Sequence, residues 1–140
     1  MTLNLLWLLP VAATFVLWGL WGFLPKFALN KGLGPMDIML HEVVGAFVIG
    51  VALLFFMGFK VKLHPTGSLF AIGAGMVNYL GILCYLYALR VGSVSLTVTL
   101  TALYPICAIV LAYFLLGETL TMKQIAGIVF AMISVALLAG

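Results

Sequence analysis

The chain has 140 residues and a mass of 15.0 kDa; 66% of the residues are hydrophobic, 6% are charged, and the mean hydropathy is +1.37. Water-soluble domains carry roughly 25% charged residues, so this composition excludes a soluble domain and predicts an integral membrane protein. The net charge of +3 comes from scattered cations, which excludes a nucleic-acid-binding surface. Cys84 and Cys107 lie in apolar runs and predict neither a metal site nor a disulfide, and no cofactor is expected.

Five apolar segments have the roughly 20 residues that a membrane-spanning helix needs. They cover residues 5–29, 36–59, 67–89, 94–116 and 122–139. Short connections join them, which leaves no room for a water-soluble domain. The sequence therefore predicts an all-α integral membrane fold, in which residues 1–140 form one domain of five transmembrane helices.

The first span carries aromatic residues on one helical face. Thr14, Trp18, Trp21 and Pro25 follow the spacing of a single face. Two indole rings on an inward face could cover a cation or an aromatic substrate. Ordinary packing of the rings against neighbouring helices is the alternative.

The second span holds the only ionisable cluster of the chain. Gly34 and Pro35 are predicted to be its N-cap and first helical residue, and Asp37 suits the positive end of the helix dipole. Glu42 lies about 9 Å along the axis from the start of this span at residue 36, where a charge is costly unless it faces a cavity or a partner. His41 and Glu42 are therefore either an interfacial pair, snorkelling or bonded to a neighbouring helix, or a titratable site that couples transport to protons or binds a cation.

The third span carries an amide at its middle. Ala74, Asn78, Gly81 and Tyr85 share one face. In hydrocarbon, Asn78 must find a partner or line water. It is predicted either to line a substrate pathway or to form an interhelical hydrogen bond that stabilises the bundle.

The fourth span repeats this pattern and contains a proline. Thr97, Thr101 and Tyr104 lie on the turns before Pro105. Because Pro105 has no N–H, it cannot donate to the Thr101 carbonyl, and the helix is expected to break there. Transporter sites are often built on broken helices, although proline kinks also occur where nothing binds.

The fifth span has features of a packing helix. Thr121 and Gln124 have the spacing of a capping box. Gly127 and Ala131 form a small-xxx-small pair, which favours close helix packing or a dimer contact over a ligand site.

The basic residues of the connections are evenly divided between the two sides of the membrane. One side carries Lys26, Lys31 and Arg90, and the other carries Lys60, Lys62 and Lys123. Lys and Arg normally favour the cytoplasmic side, so this balance predicts a chain that inserts in both orientations. Two oppositely oriented copies would rebuild the inverted-repeat architecture of many secondary transporters.

Several motifs resemble a known family. Residues 88–95 (ALRVGSVS), 103–106 (LYPI) and 115–121 (LLGETLT), with 17–19 (LWG) and 25–27 (PKF), are similar to the EamA-type domain of the drug/metabolite transporter superfamily. The resemblance implies a multispan carrier of small metabolites in the inner membrane, with spans one to four lining the pathway. Family members commonly have two five-helix domains in one chain. His41 and Glu42 stand about where many members carry an Arg.

The residues and the resemblance together predict a secondary transporter of a small metabolite or organic cation across the cell membrane. It is expected to work as an antiparallel homodimer in the lipid bilayer, with no enzyme activity. The candidate substrate-binding or coupling residues are Trp18, Trp21, His41, Glu42, Asn78, Tyr85, Thr97, Thr101, Tyr104 and Pro105. A half-transporter that pairs with a different chain, and a membrane scaffold that transports nothing, are the alternatives.

Overall fold

The computed structural model describes residues 5–139, and the side chains of residues 8–138, as helices joined by short connections. The helices are α1 (Leu5–Asn30), α2 (Pro35–Phe56), α3 (Pro65–Val91), α4 (Val94–Thr101), α5 (Tyr104–Leu116) and α6 (Met122–Ala139). The prediction of an all-α fold is confirmed. The predicted fourth span is described as two helices, α4 and α5.

Four apolar stretches of the described residues are long enough to cross a membrane. They are Leu8–Asn30, Pro35–Phe56, Pro65–Val91 and Val94–Leu116. The predicted fifth span corresponds to α6, a shorter apolar helix of 18 residues. Large apolar side chains are exposed along these helices, as expected for surfaces that face lipid. The chain is a multi-pass membrane protein.

Local capping explains where two of the helices begin. Gly34 is extended (φ −77°, ψ 162°), its N–H donates to Asp37 Oδ2 at 3.0 Å, and Pro35 starts α2. At α6, the Thr121 N–H donates to Gln124 Oε1 at 2.8 Å, and the Gln124 N–H donates to Thr121 Oγ1 at 3.3 Å. Both predicted caps are confirmed. They satisfy N–H groups that a helix start otherwise leaves without partners.

The break in the fourth span lies just before Pro105. α4 ends at Thr101, and α5 begins at Tyr104 with Pro105 in its first turn. The Ala102 N–H still donates to Val98 O at 2.9 Å, but Pro105 has no N–H for the Thr101 carbonyl. The predicted interruption is confirmed: residues 102–103 separate the two helices.

The chain divides into two compact units between Val91 and Gly92. In the first unit, α1, α2 and α3 pack against one another, and Ile38, Leu86 and Leu89 are buried. In the second unit, α4 packs against α6. Its one side chain described as buried is that of Thr97.

Candidate functional site

A groove of about 310 Å³ lies between α1 and α2 in the first unit. Its lining residues are Trp21, Leu24, Pro25, Ala28, Leu33, Ile38, His41 and Glu42. Apolar residues dominate this lining, and the polar groups come from Trp21, His41 and Glu42. The volume is at the lower end of the range for small-molecule pockets, about 300–1,000 Å³, so the groove suits a compact ligand.

The Glu42 carboxylate is held at one oxygen only. Trp21 Nε1 donates a hydrogen bond to Glu42 Oε1 at 3.2 Å. Glu42 Oε2 is buried and has no hydrogen-bond partner, and none of the described cationic side chains forms an ion pair with Glu42. A buried acceptor without a partner costs about 1–3 kcal/mol. Glu42 is therefore the polar residue of the groove lining that has a buried acceptor without a hydrogen-bond donor.

Tyr85 of α3 fixes the position of Trp21. The two rings stack with their centroids 5.1 Å apart and tilted by 32°. The Tyr85 hydroxyl donates to the Gly22 carbonyl at 2.5 Å, and the tyrosine is 7% exposed. The structure thus brings three predicted site residues, Trp21, Glu42 and Tyr85, into one connected cluster.

His41 lines the same groove but is bonded to its own helix. Its Nδ1 lies 2.7 Å from the Asp37 carbonyl oxygen. A carbonyl can only accept, so Nδ1 is the donor in this contact. Glu42 is thus bonded to a neighbouring helix through Trp21, whereas the described hydrogen bond of His41 stays within α2.

Two further predicted residues of the first unit do not join this cluster. Trp18 is 57% exposed and is not among the groove lining. Asn78 is exposed and forms no hydrogen bond with the described residues. It lies about 10 Å along α3 from Tyr85, so neither of the roles predicted for Asn78 has a described contact behind it.

The predicted threonines of the second unit bond within α4. Thr97 Oγ1 donates to the Ser93 carbonyl at 2.8 Å, and Thr101 Oγ1 donates to the Thr97 carbonyl at 2.8 Å. Their hydroxyl hydrogens are therefore engaged by backbone of the preceding turn. Such back-bonding often bends helices, which is consistent with the end of α4 at Thr101.

Tyr104 and Pro105 lie in a second depression, of about 300 Å³, within the second unit. The remaining lining residues are Ala108, Ile109, Ala112, Tyr113, Glu118 and Leu120. Glu118 is absent from the predicted site residues. The LLGETLT motif at residues 115–121 was the signal that could have identified it.

Lys26 also has a role that sequence reasoning missed. Its Nζ donates to the Leu89 carbonyl at 2.8 Å, in the last turn of α3. Carbonyls at a helix end lack helical partners and carry partial negative charge. Lys26 therefore caps α3 and ties the carboxyl-terminal ends of α1 and α3 together.

The model of the EamA-like transporter family matches residues 5–140. The chain belongs to the EamA-like transporter family. A search of curated proteins found no match, and a search of solved structures found none. Membership in the EamA-like family makes this a transporter-like membrane protein, and the predicted resemblance is confirmed.

Proposed function

We propose that the chain is a secondary transporter that moves a small organic cation across the inner (plasma) membrane, with the Trp21–Glu42 groove as its binding site. The observation that carries this proposal is the Glu42 carboxylate, which lines the groove without a cationic partner from the described residues. The sequence leaves a small metabolite as the other substrate class. The unpaired carboxylate favours the cation.

The physical reason is the cost of a charge in the membrane. A carboxylate at the centre of a transmembrane helix costs about 2.5–3.5 kcal/mol on insertion scales, and an ionisable side chain within such a helix normally faces a partner or a water-filled cavity. Trp21 supplies one neutral N–H bond to Glu42, which leaves the charge without a counterion. A bound organic cation supplies that counterion, and a proton replaces it when the cation leaves.

We further propose that two copies work together in opposite orientations. The support is the balance of three cations against three in the connections and the transporter architecture of inverted repeats around a midplane site. An odd number of spans makes the two orientations true inversions of each other. A second copy would complete the pathway.

The transport proposal is tested with the purified chain in proteoliposomes. Uptake of radiolabelled organic cations is compared with that of neutral and anionic metabolites, for the wild type and for Glu42→Gln. We expect saturable cation uptake that falls by at least about tenfold in Glu42→Gln while the variant still inserts. If no class of substrate is taken up, the result would refute transport and support the scaffold alternative. If only neutral solutes are taken up, the result would refute the proposal that the substrate is a cation.

The dimer proposal is tested with charge-trapped variants. Two Lys added to the connection at residues 30–34 should fix one orientation, and two Lys added at residues 60–64 should fix the other. A reporter fused after residue 140 should show both orientations in the wild type. Each trapped variant alone should be inactive, and co-expression of the two should restore flux. A single wild-type orientation would refute the homodimer and favour a different partner chain.

A further inference from the structure

We propose that the Trp21–Glu42 groove recognises a compact protonated amine, in preference to a quaternary ammonium, through an N–H hydrogen bond to Glu42 Oε2, which turns from its buried position toward the bound ligand. The inference rests on the proposed function, because it specifies the substrate class of the same groove. It follows from how hydrogen-bond donors are distributed around the carboxylate.

The donors that surround the carboxylate are already used. Trp21 has a single N–H, and it is directed to Glu42 Oε1 at 3.2 Å. Tyr85 has a single O–H, and it is directed to the Gly22 carbonyl. His41 Nδ1 donates to Asp37 of its own helix. The buried Oε2 atom therefore lacks a donor that these side chains can supply.

An acceptor in this position distinguishes ligands by whether they carry a hydrogen on nitrogen. A protonated amine brings both a positive charge and an N–H donor, and a charge-assisted hydrogen bond is stronger than a neutral one. A quaternary ammonium brings the same charge and leaves Oε2 unpaired. The carboxylate is thus suited to the ligand that satisfies both of its requirements.

The aromatic content of the groove leads to the same conclusion. Proteins recognise quaternary ammonium groups with cages of several aromatic rings. Trp21 is the only Phe, Tyr or Trp residue among the lining residues. The ring of Tyr85 stacks on Trp21 but is not part of the lining. The remaining walls are aliphatic, formed by residues such as Leu24, Leu33 and Ile38. They suit a short hydrocarbon group on the amine, within a volume of about 310 Å³.

Two isomeric cations isolate the N–H bond. tert-Butylammonium and tetramethylammonium have the same formula, the same charge and nearly the same shape, but only the first carries N–H groups. Each is titrated by calorimetry into the wild-type chain in nanodiscs, with neutral tert-butanol as a third probe. We expect tert-butylammonium to bind at least tenfold more tightly than tetramethylammonium, and tert-butanol to bind more weakly than either cation.

Two carboxylate variants locate the bond. Glu42→Gln should abolish the preference between the isomers. Asp37→Asn, which removes a charge from the first turn of the same helix but retains an acceptor for Gly34, should leave the preference intact. If Glu42→Gln does not fold, the comparison of the isomers on the wild-type chain decides alone.

The outcomes separate this inference from the proposed function. Equal binding of the two isomers, or tighter binding of tetramethylammonium, would overturn the N–H bond while cation transport through the groove stands. Binding of neither isomer, with flux of other cations retained, would also overturn the inference alone. Loss of the preference in Asp37→Asn as well would assign it to net charge rather than to Glu42 Oε2. Absence of any flux in proteoliposomes would refute the proposed function itself.

Discussion

Each of the two units of the chain has a different kind of polar contact inside it. In the first unit, side chains bond from one helix to another: Trp21 to Glu42, Lys26 to Leu89, and Tyr85 to Gly22. In the second unit, the hydroxyls of Thr97 and Thr101 bond to the preceding turn of α4. Lipid is as apolar as leucine, so packing and polar contacts, rather than hydrophobic burial, decide how membrane helices associate. The contrast shows that hydrogen bonds between different helices fix how α1, α2 and α3 pack in the first unit.

The two depressions differ in the same way, although their volumes are similar. Each is lined by a proline, by aromatic residues or an indole, and by one glutamate. Glu42 lies within α2 and has a buried oxygen without a partner, whereas Glu118 lies exposed in the connection after α5. An exposed carboxylate satisfies its acceptors with solvent or headgroups. Only Glu42 has an energetic reason to require a ligand.

The largest expected effect distinguishes the two glutamates. Glu42→Gln keeps the shape and removes the charge, so cation uptake in proteoliposomes should fall at least tenfold, as a loss of about 1.5–3 kcal/mol of charged hydrogen bonding implies. The matched variant Glu118→Gln should change uptake by less than about twofold. Equal losses in the two variants would mean that both depressions serve the substrate and would remove the contrast.

The second expected effect concerns the cap on α3. Lys26→Met should lower the free energy of unfolding by about 1.5–3 kcal/mol, because the Leu89 carbonyl loses a charged donor. Lys31→Met is the control: Lys31 is exposed beyond α1, and its loss changes the charge of the same connection equally. Unfolding by denaturing detergent in mixed micelles measures both. Equal stabilities of the two variants would contradict the capping role of Lys26.

A smaller effect is expected at the tyrosine that positions Trp21. Tyr85→Phe keeps the ring stacking and removes the bond to the Gly22 carbonyl, so the free energy of unfolding should fall by about 0.5–1.5 kcal/mol. Tyr113→Phe in the second unit removes a hydroxyl from an exposed residue and should cost under about 0.5 kcal/mol. Trp fluorescence should also shift in Tyr85→Phe. Identical melting curves for the two variants would argue against a specific role for the Tyr85 hydroxyl.

The smallest effect on folding is expected at the break between α4 and α5. Pro105→Ala supplies an N–H for the Thr101 carbonyl, so the helix should straighten and stability should hold or rise. If the break shapes a site, substrate affinity should nevertheless fall by a few-fold. Titration of the transported cation and a thermal melt on the same preparation separate the two effects. Unchanged affinity would make the break a packing feature of the second unit.

The helix ends were predictable because their causes are local. Gly34, Pro35 and the Thr121–Gln124 cap act within one turn of the chain, and the apolar lengths fix the spans between them. The pairing of Trp21 with Glu42 was not predictable. A helix that is apolar all round does not reveal which face meets a neighbour, so the rotation of α1 against α2 is set only by packing.

Depth along a helix was equally hidden in the sequence. Asn78 and Tyr85 were predicted on one face of α3, yet Tyr85 is buried and Asn78 is exposed. The buried residues of α3 all lie in its last two turns, at Tyr85, Leu86 and Leu89. Sharing a face gives the direction of a side chain but not the height at which neighbouring helices cover it.

Helix length has a consequence for the bilayer around this protein. α3 has 27 residues and α6 has 18, which correspond to about 40 Å and about 27 Å at the rise of an α-helix. A hydrocarbon layer of about 30 Å matches neither, so α3 must tilt or extend into the headgroups, and α6 would require local thinning to cross the layer as the predicted fifth span. Acyl-chain length is therefore a variable to which the chain should respond, with thin membranes suiting α6 and thick ones requiring less tilt of α3.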